Sequence, residues 1–238
     1  HLSERRVGMA VKGRRDKIFI ATKLTNRDGA AAQRIVEESL TALQVDRVDL
    51  LHIHSLTTVE DLTKIEAKGG VLEQVRKFRD QKMARFIGIT CHADPAVLKT
   101  ALERHDFDCV QMALNAGTVS MMSGRGSMVP DPSVKTSFET TALAVALRKK
   151  MGVLAIKAFA QDALVGQASI EKLLYYTLSL PVTSAVVGMP KLEHIDDNTR
   201  LAAAFKRLPA SEMREMSGKL SVKNKQALDL FFRHHVDA

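Results

Sequence analysis

Short apolar runs and amphipathic stretches alternate along this 238-residue chain, and that alternation constrains the fold more than any other feature. Residues 17–24, 48–54, 85–91, 109–114, 152–159 and 183–187 read as strands. Residues 28–44, 70–82, 95–104, 136–151, 169–180 and 192–205 read as the helices between and after them. The strands are continuous runs of Ile, Val, Leu and Ala, which suits parallel strands covered on both faces. The helices carry the complementary stripe: Ile35, Val36, Leu40 and Leu43 share one side of the first, and Val71, Leu72, Val75 and Phe78 one side of the second. Asp94 followed by Pro95 marks a helix start, a cap and a first-turn proline. Six strand–helix units in order predict an α/β class with a parallel sheet, in a single domain spanning residues 1–238.

Two segments break the rhythm. Residues 116–135 are rich in Gly, Ser, Met and Pro and end in Val129-Pro130-Asp131-Pro132. They predict a long loop on the strand-end face, either a substrate gate or a plain insertion. Residues 211–238 predict a C-terminal helical extension, with Leu220, Leu228, Leu230, Phe231 and Phe232 packing it across the outside of the domain.

Apolar residues make up 45% and charged residues 26% of the chain, an ordinary balance for a globular protein. No run approaches the roughly 20 apolar residues of a membrane span. Ser3-Glu4-Arg5-Arg6 stands where a secretory signal would need apolar residues, so a cytoplasmic location is expected. The net charge is +8, but the basic residues are scattered and the longest run is Arg148-Lys149-Lys150, at a helix end where cations suit the dipole. Aromatic residues are 5%, with no Trp, which argues against a base-stacking nucleic-acid platform and leaves a mild attraction for an anionic cofactor. Cys91 and Cys109 lie in apolar runs and read as reduced, buried thiols, too few and too far from clustered histidines for a zinc site.

Two polar residues stand out against the apolar strands. Lys23 closes the run Ile18-Phe19-Ile20-Ala21-Thr22-Lys23, and His54 closes Val48-Asp49-Leu50-Leu51-His52-Ile53-His54. In a strand–helix barrel the C-terminal strand ends open on the face that carries the chemistry, so consecutive strands deliver a lysine and a histidine there. His52 and His54 are two apart and share a face. A strand histidine is more often a hydrogen-bonded core residue than a catalyst. A lysine is rarely buried unless paired, and Asp49 is either its partner or a buried acid tied to backbone.

These residues carry a resemblance. Ile18 to Leu24 is similar to the aldo-keto reductase strand that ends in the catalytic lysine. The stretch from Ser39-Leu40-Thr41-Ala42-Leu43 through Asp46-Arg47-Val48-Asp49 to His54 is similar to the family's next helix and strand, ending in the catalytic histidine. Arg85-Phe86-Ile87-Gly88-Ile89-Thr90, Val110-Gln111, Gly152-Val153-Leu154-Ala155-Ile156-Lys157, Val186-Val187-Gly188-Met189 and Ile195-Asp196-Asp197-Asn198 resemble, in order, the family's nicotinamide and adenosine-phosphate segments. The match runs over residues 2–205.

The resemblance implies a (β/α)8 TIM barrel, with roughly the first two strands and first helix outside this chain. It implies reduction of an aldehyde or ketone by NADP, NAD being the alternative, with Lys23 and His54 catalytic. Thr90, Cys91, Gln111, Ile156, Lys157, Gly188, Lys191, His194, Asp197 and Asn198 would contact the cofactor. In the family a Tyr gives the proton and an Asp pairs with the lysine. Both would precede His1-Leu2-Ser3-Glu4, and Tyr175 and Tyr176, in a helix, are poor substitutes, so weak or no activity is expected of these residues alone. Other departures are Cys91 and His92, where Asn is common, and Ile156 in place of a stacking aromatic ring. Gly188 and His194 stand where a Lys and an Arg often grip the 2′-phosphate, with Lys191 near enough to compensate. Two rivals remain: a non-catalytic nicotinamide-nucleotide-binding protein on the same fold, and a barrel enzyme holding a metal on His52, His54 and His92. Substrate identity and oligomeric state have no readable code.

Overall fold

The computed structural model describes residues 2–123, 128–131 and 133–233, and the side chains of these up to Ser221, those of Ser123 and Met128 excepted. The chain divides into two compact units, His1–Val110 and Gln111–Ala238.

The first unit runs α1 (Leu2–Val11), a 3-10 turn at Arg15–Lys17, β1 (Ala21–Leu24), α2 (Gly29–Leu43), β2 (Val48–Leu56), α3 (Val59–Glu66), α4 (Val71–Asp80), β3 (Ala84–Cys91) and α5 (Pro95–Arg104). β4 (Cys109–Ala113) begins in this unit. β1 pairs with β2 and β2 with β3, both parallel; Lys23 stands opposite His52, and His52 opposite Gly88. Capping side chains set the helix starts. Asp28 accepts the Ala31 N–H at 2.7 Å, Thr58 that of Asp61 at 3.2 Å, and Asp94 those of Ala96 and Val97. Ala32, Val36 and Leu43 of α2 and Val71, Leu72, Val75 and Phe78 of α4 are buried, as are Leu24, Leu50, Leu51, Ile53, Ile87 and Ile89 of the strands. Each buried Leu or Ile side chain contributes about 1.5–3 kcal/mol, so apolar burial is what orders this unit.

β1 is shorter than expected and begins at Ala21. Residues Ile18 to Ile20 are extended toward it, but the Ile20 N–H donates to the side-chain Oδ2 of Asp49 at 2.8 Å rather than to a backbone carbonyl of β2. α1 and α3 have no counterpart in the expected elements.

The second unit holds the rest of β4, then β5 (Ser120–Ser123), β6 (Met128–Asp131), α6 (Ala142–Arg148), β7 (Gly152–Ile156), α7 (Ile170–Ser179), β8 (Ser184–Ala185), α8 (Glu193–Ala203) and α9 (Ala210–Arg233). β7 and β8 are parallel, with Ala155 opposite Ala185. The segment expected to be one long loop carries an antiparallel pair, Ser120 opposite Asp131 and Met121 opposite Pro130; residues 124–127 and 132 lie outside the described residues. α6 starts six residues later than expected, because the Ser137 carbonyl and hydroxyl take the Thr141 hydroxyl and the Thr140 N–H in a turn of their own.

Leu174, Tyr175 and Leu201 form a buried cluster between α7 and α8, flanked by Phe159, Leu178, Val187, Phe205 and Leu208. The Tyr175 ring meets Phe205 edge to face at 5.2 Å and its hydroxyl donates to the Leu201 carbonyl at 3.1 Å. Met216 and Leu220 bury one side of α9, and Glu212 pairs with Lys172 at 3.0 Å. The side chains of Leu228, Leu230, Phe231 and Phe232, and residues 234–238, lie outside the described residues. Among the described residues no helix is long and apolar enough to cross a membrane.

Candidate active site

In the first unit, three polar side chains stand at the ends of adjacent parallel strands: Lys23 on β1, His54 on β2 and Thr90 on β3. Lys23 is half-buried, and burial holds its ammonium below the ordinary 10.5. Among the described residues no carboxylate pairs with it. Asp49 does not: it is buried, accepts the Ile20 N–H, and pairs with Arg85 at 2.7 Å and Arg15 at 3.0 Å. Burial pushes the Asp49 carboxyl up, but the Ile20 N–H and the two guanidinium groups outweigh it and hold it below its ordinary value. The alternative of a buried acid tied to backbone is the one observed.

His54 is half-buried and held below its ordinary 6.5, first by burial and then by the positive charges of Lys23 and Arg27. It therefore stays a neutral imidazole at neutral pH, able to donate one hydrogen bond. His52, one turn of the pleat below, is fully buried and pushed down to about 3 by burial, then by Lys23 and His54. Neither of its ring nitrogens has a partner, and its ring lies against Gly88. His52 thus fits a packed core residue better than a metal ligand, and no cluster of three or more His, Cys, Asp or Glu groups suited to a metal occurs among the described residues. Thr90 is buried and its Oγ1 accepts the Ser55 N–H at 2.7 Å, which leaves the hydroxyl proton to donate. Cys91 is fully buried, its thiol is pushed up to about 12, and it donates to the Asp94 carbonyl. That side chain brings no free polar group to a cofactor.

The second unit carries the other expected cofactor residues. Gln111 on β4 is buried. Ile156 ends β7, and its carbonyl accepts the Leu114 N–H at 3.0 Å. Lys157 follows at φ 62, with its ammonium on the Gln161 side-chain oxygen; Ala160, Gln161 and Asp162 are also left-handed. Gly188 lies in open backbone, with nothing within 4 Å of where a Cβ would stand. Lys191 is exposed in the turn before α8, and His194, Asp197 and Asn198 lie in α8. Asp197 pairs with Arg200 at 3.0 Å, so its carboxylate is already engaged.

The sequence alone did not point to Arg27. Its guanidinium reaches from the β1–α2 connection to the carbonyls of His54 and Ser55 and forms a two-bond pair with Asp61 of α3. One signal was present: Thr58 three residues ahead of Asp61 is a helix-start pattern, and it would have located α3 and its acid.

The profile of the aldo/keto reductase family matches residues 1–167, and the chain belongs to that family. It is 24% identical to the uncharacterized oxidoreductase YqkF of Bacillus subtilis (strain 168), over 246 aligned positions covering 90% of this chain and 78% of that protein. Among solved structures it is similar to the holo form of the aldo-keto reductase AKR11C1 from Bacillus halodurans, with TM-score 0.69 and 21% identity over 91% of this chain and 76% of that one. It is also similar to an aldo/keto reductase from Klebsiella pneumoniae solved with NADP and acetate, with TM-score 0.66 and 20% identity over 92% of this chain and 76% of that one. At such identities the likeness speaks for the fold, which is α/β of the (β/α)8 barrel type.

Proposed function

We propose that this protein is an NAD(P)H-dependent oxidoreductase that reduces an aldehyde or ketone to an alcohol, with NADP preferred over NAD. The observation that carries this reading is the pair Lys23 and His54, set at the ends of adjacent parallel strands, with His54 held neutral. Family membership and the NADP in the Klebsiella relative support it.

The bound cofactor would supply the hydride. As the carbonyl carbon accepts it, negative charge grows on the oxygen, and a neutral His54 donates a hydrogen bond there and orients the substrate. The Lys23 ammonium adds positive charge at the same strand ends, which favours the anion of a neighbouring proton donor. Thr90 in the first unit has a hydroxyl proton to donate, and Gln111 in the second carries a buried amide; each is a group of the kind that can bond a carboxamide. Ile156 offers an aliphatic face, and the open backbone at Gly188 with the exposed Lys191 suits a phosphate. Lys157, His194, Asp197 and Asn198 complete the proposed contacts; the engaged Asp197 is the weakest of them. The partner is a small carbonyl compound, and the location is cytoplasmic, in keeping with two free, buried thiols.

Both tyrosines of the 238 residues are committed on α7, Tyr175 to the Leu201 carbonyl and Tyr176 to Glu139. The 238-residue polypeptide is therefore expected to bind NADPH and to turn over slowly or not at all. Quenching of NADPH fluorescence and NADPH consumption with a reactive aromatic aldehyde test the two parts separately. Failure to bind either nicotinamide nucleotide would overturn the reading. Fast aldehyde turnover would show that another group gives the proton.

A further inference from the structure

The strand end that carries His54 is irregular. Ile53 stands opposite Ile89 and Leu56 opposite Cys91, so two residues, His54 and Ser55, face the single Thr90. Such a bulge bends a strand and re-aims a side chain. Ser55 sits at φ 54, a left-handed conformation that a residue with a Cβ keeps only when its surroundings hold it. The surroundings here are two side chains. Thr90 takes the Ser55 N–H, and Arg27 takes both carbonyls, Nη1 donating to His54 O at 2.8 Å and Nη2 to Ser55 O at 3.0 Å.

Arg27 is itself fixed. Nε and Nη2 donate to the two carboxylate oxygens of Asp61 at 2.8 and 2.7 Å, and the remaining Nη1 proton goes to Thr25 O at 3.3 Å. All five N–H groups of the guanidinium thus find acceptors. Its backbone carbonyl accepts the Val71 N–H at 2.8 Å, which ties it to the start of α4. The pair is largely shielded, at 18% and 16% side-chain exposure for Arg27 and Asp61, so solvent does not scramble the geometry. A lysine could not replace this planar five-donor fork.

We propose that Arg27, locked by Asp61, is the positioning residue of the active site: it holds the His54–Ser55 bulge and so fixes the backbone from which the His54 imidazole projects beside Lys23. The proposal rests on the reductase reading for the role of His54, but its geometry can be tested without catalysis.

The test is the pH titration of the histidine ring signals by NMR in the full 238-residue chain, in wild type, R27K and D61N. His54 is assigned by its loss in H54Q. The charged groups around His54 are Lys23 and Arg27 with Asp61, and the nearest titratable neighbour is the neutral His52. R27K keeps the positive charge and loses the fork, so a change in His54 reports geometry. In R27K the His54 midpoint moves up toward 6.5 as the ring leaves its buried setting. D61N breaks the two-bond pair and also removes a negative charge, which alone would move His54 further down, so a rise in D61N reports the loosened fork and a fall overturns the proposal; it carries the test should R27K not fold. A merely structural arginine would lower the melting temperature and leave the His54 curve superimposed on wild type, and that result would overturn the proposal. NADPH binding, measured alongside, separates the two ideas: a shifted His54 in a protein that binds no nucleotide keeps the positioning role and removes the reductase reading.

Discussion

Gly88 → Ala tests the packing beneath the candidate site. A Cβ at Gly88 would stand 2.6 Å from the Cys109 carbonyl oxygen, 2.6 Å from His52 Cδ2 and 2.9 Å from His52 Nε2. None of these atoms is the free end of a flexible side chain. One is strand backbone, and the others belong to a ring with no exposed surface. Overpacking of a rigid core site costs about 1–3 kcal/mol, and two immobile neighbours place G88A in the upper half, about 2–3 kcal/mol. For a chain of this length each kcal/mol lowers the melting temperature by about 2–4 °C, so a fall of about 4–12 °C is expected.

Thermal unfolding of wild type, G88A, H52A and the double variant, followed by circular dichroism, gives both the size and the cause. H52A removes the ring and with it two of the three contacts, so G88A should cost less in the H52A background, with a coupling of about 0.5–2 kcal/mol. The Cys109 oxygen contact remains, so the double variant still melts below H52A. A G88A melting temperature within about 1 °C of wild type would show that the strands part freely at this point. Strict additivity with H52A would show that the ring is not what occupies the space.

Two further outcomes follow from charged groups away from the strand ends. Glu139 is raised from its ordinary 4.5 to about 7 by burial, against the lowering effect of the Tyr176 hydroxyl bond. Its folded value lies above its unfolded one, so its contribution is fully present below 4.5 and is lost as pH rises through about 7. The melting temperature should therefore fall across that interval in wild type and stay flatter in E139Q; parallel profiles would show that Glu139 does not titrate there. Asp49 has the opposite sign: its folded value is depressed, so its stabilisation is present above 3.8 and lost as pH falls below it. D49A orphans the Ile20 N–H and separates Arg15 and Arg85 from their acid, and urea unfolding at neutral pH should show a loss of about 2–3 kcal/mol, with part of the charge cost relieved by solvent at the half-exposed Arg85.

The strand–helix order was legible because its signals are local and redundant. α5 spans Pro95–Arg104 as the Asp94-Pro95 start requires; α4 buries the whole stripe that the 3.6-residue period marks, and α2 buries Val36 and Leu43 of its stripe while Ile35 and Leu40 are only partly covered. What stayed hidden depends on partners distant in sequence. β1 begins at Ala21 because Asp49, 29 residues away, takes the Ile20 N–H, and nothing in Ile18-Phe19-Ile20 reports that. The antiparallel pair of β5 and β6 hides because its composition is that of a loop and Pro130 sits within it. Arg27 was invisible for a related reason. Its acceptors are three backbone carbonyls and one acid on another helix, and carbonyls leave no mark on a sequence.

The partner of Lys23 is the instructive case, since half of the answer was legible. In a strand, residues an odd number apart face opposite sides, so Asp49 cannot share a face with His52. Only the register was missing, and it sets Lys23 opposite His52, with Asp49 given over to Ile20, Arg15 and Arg85. The consequence is electrostatic. Lys23, His52 and His54 bring three basic groups to one pair of strand ends, and among the described residues no carboxylate neutralises them. Burial already lowers all three, so each added positive charge there is costly. Both histidines respond by staying neutral, and Lys23 remains the group that most gains from a negative charge at this face. A bound phosphate or the growing charge on a carbonyl oxygen would each raise its affinity for its proton, so the same desolvation that weakens Lys23 at rest strengthens its response to an anion.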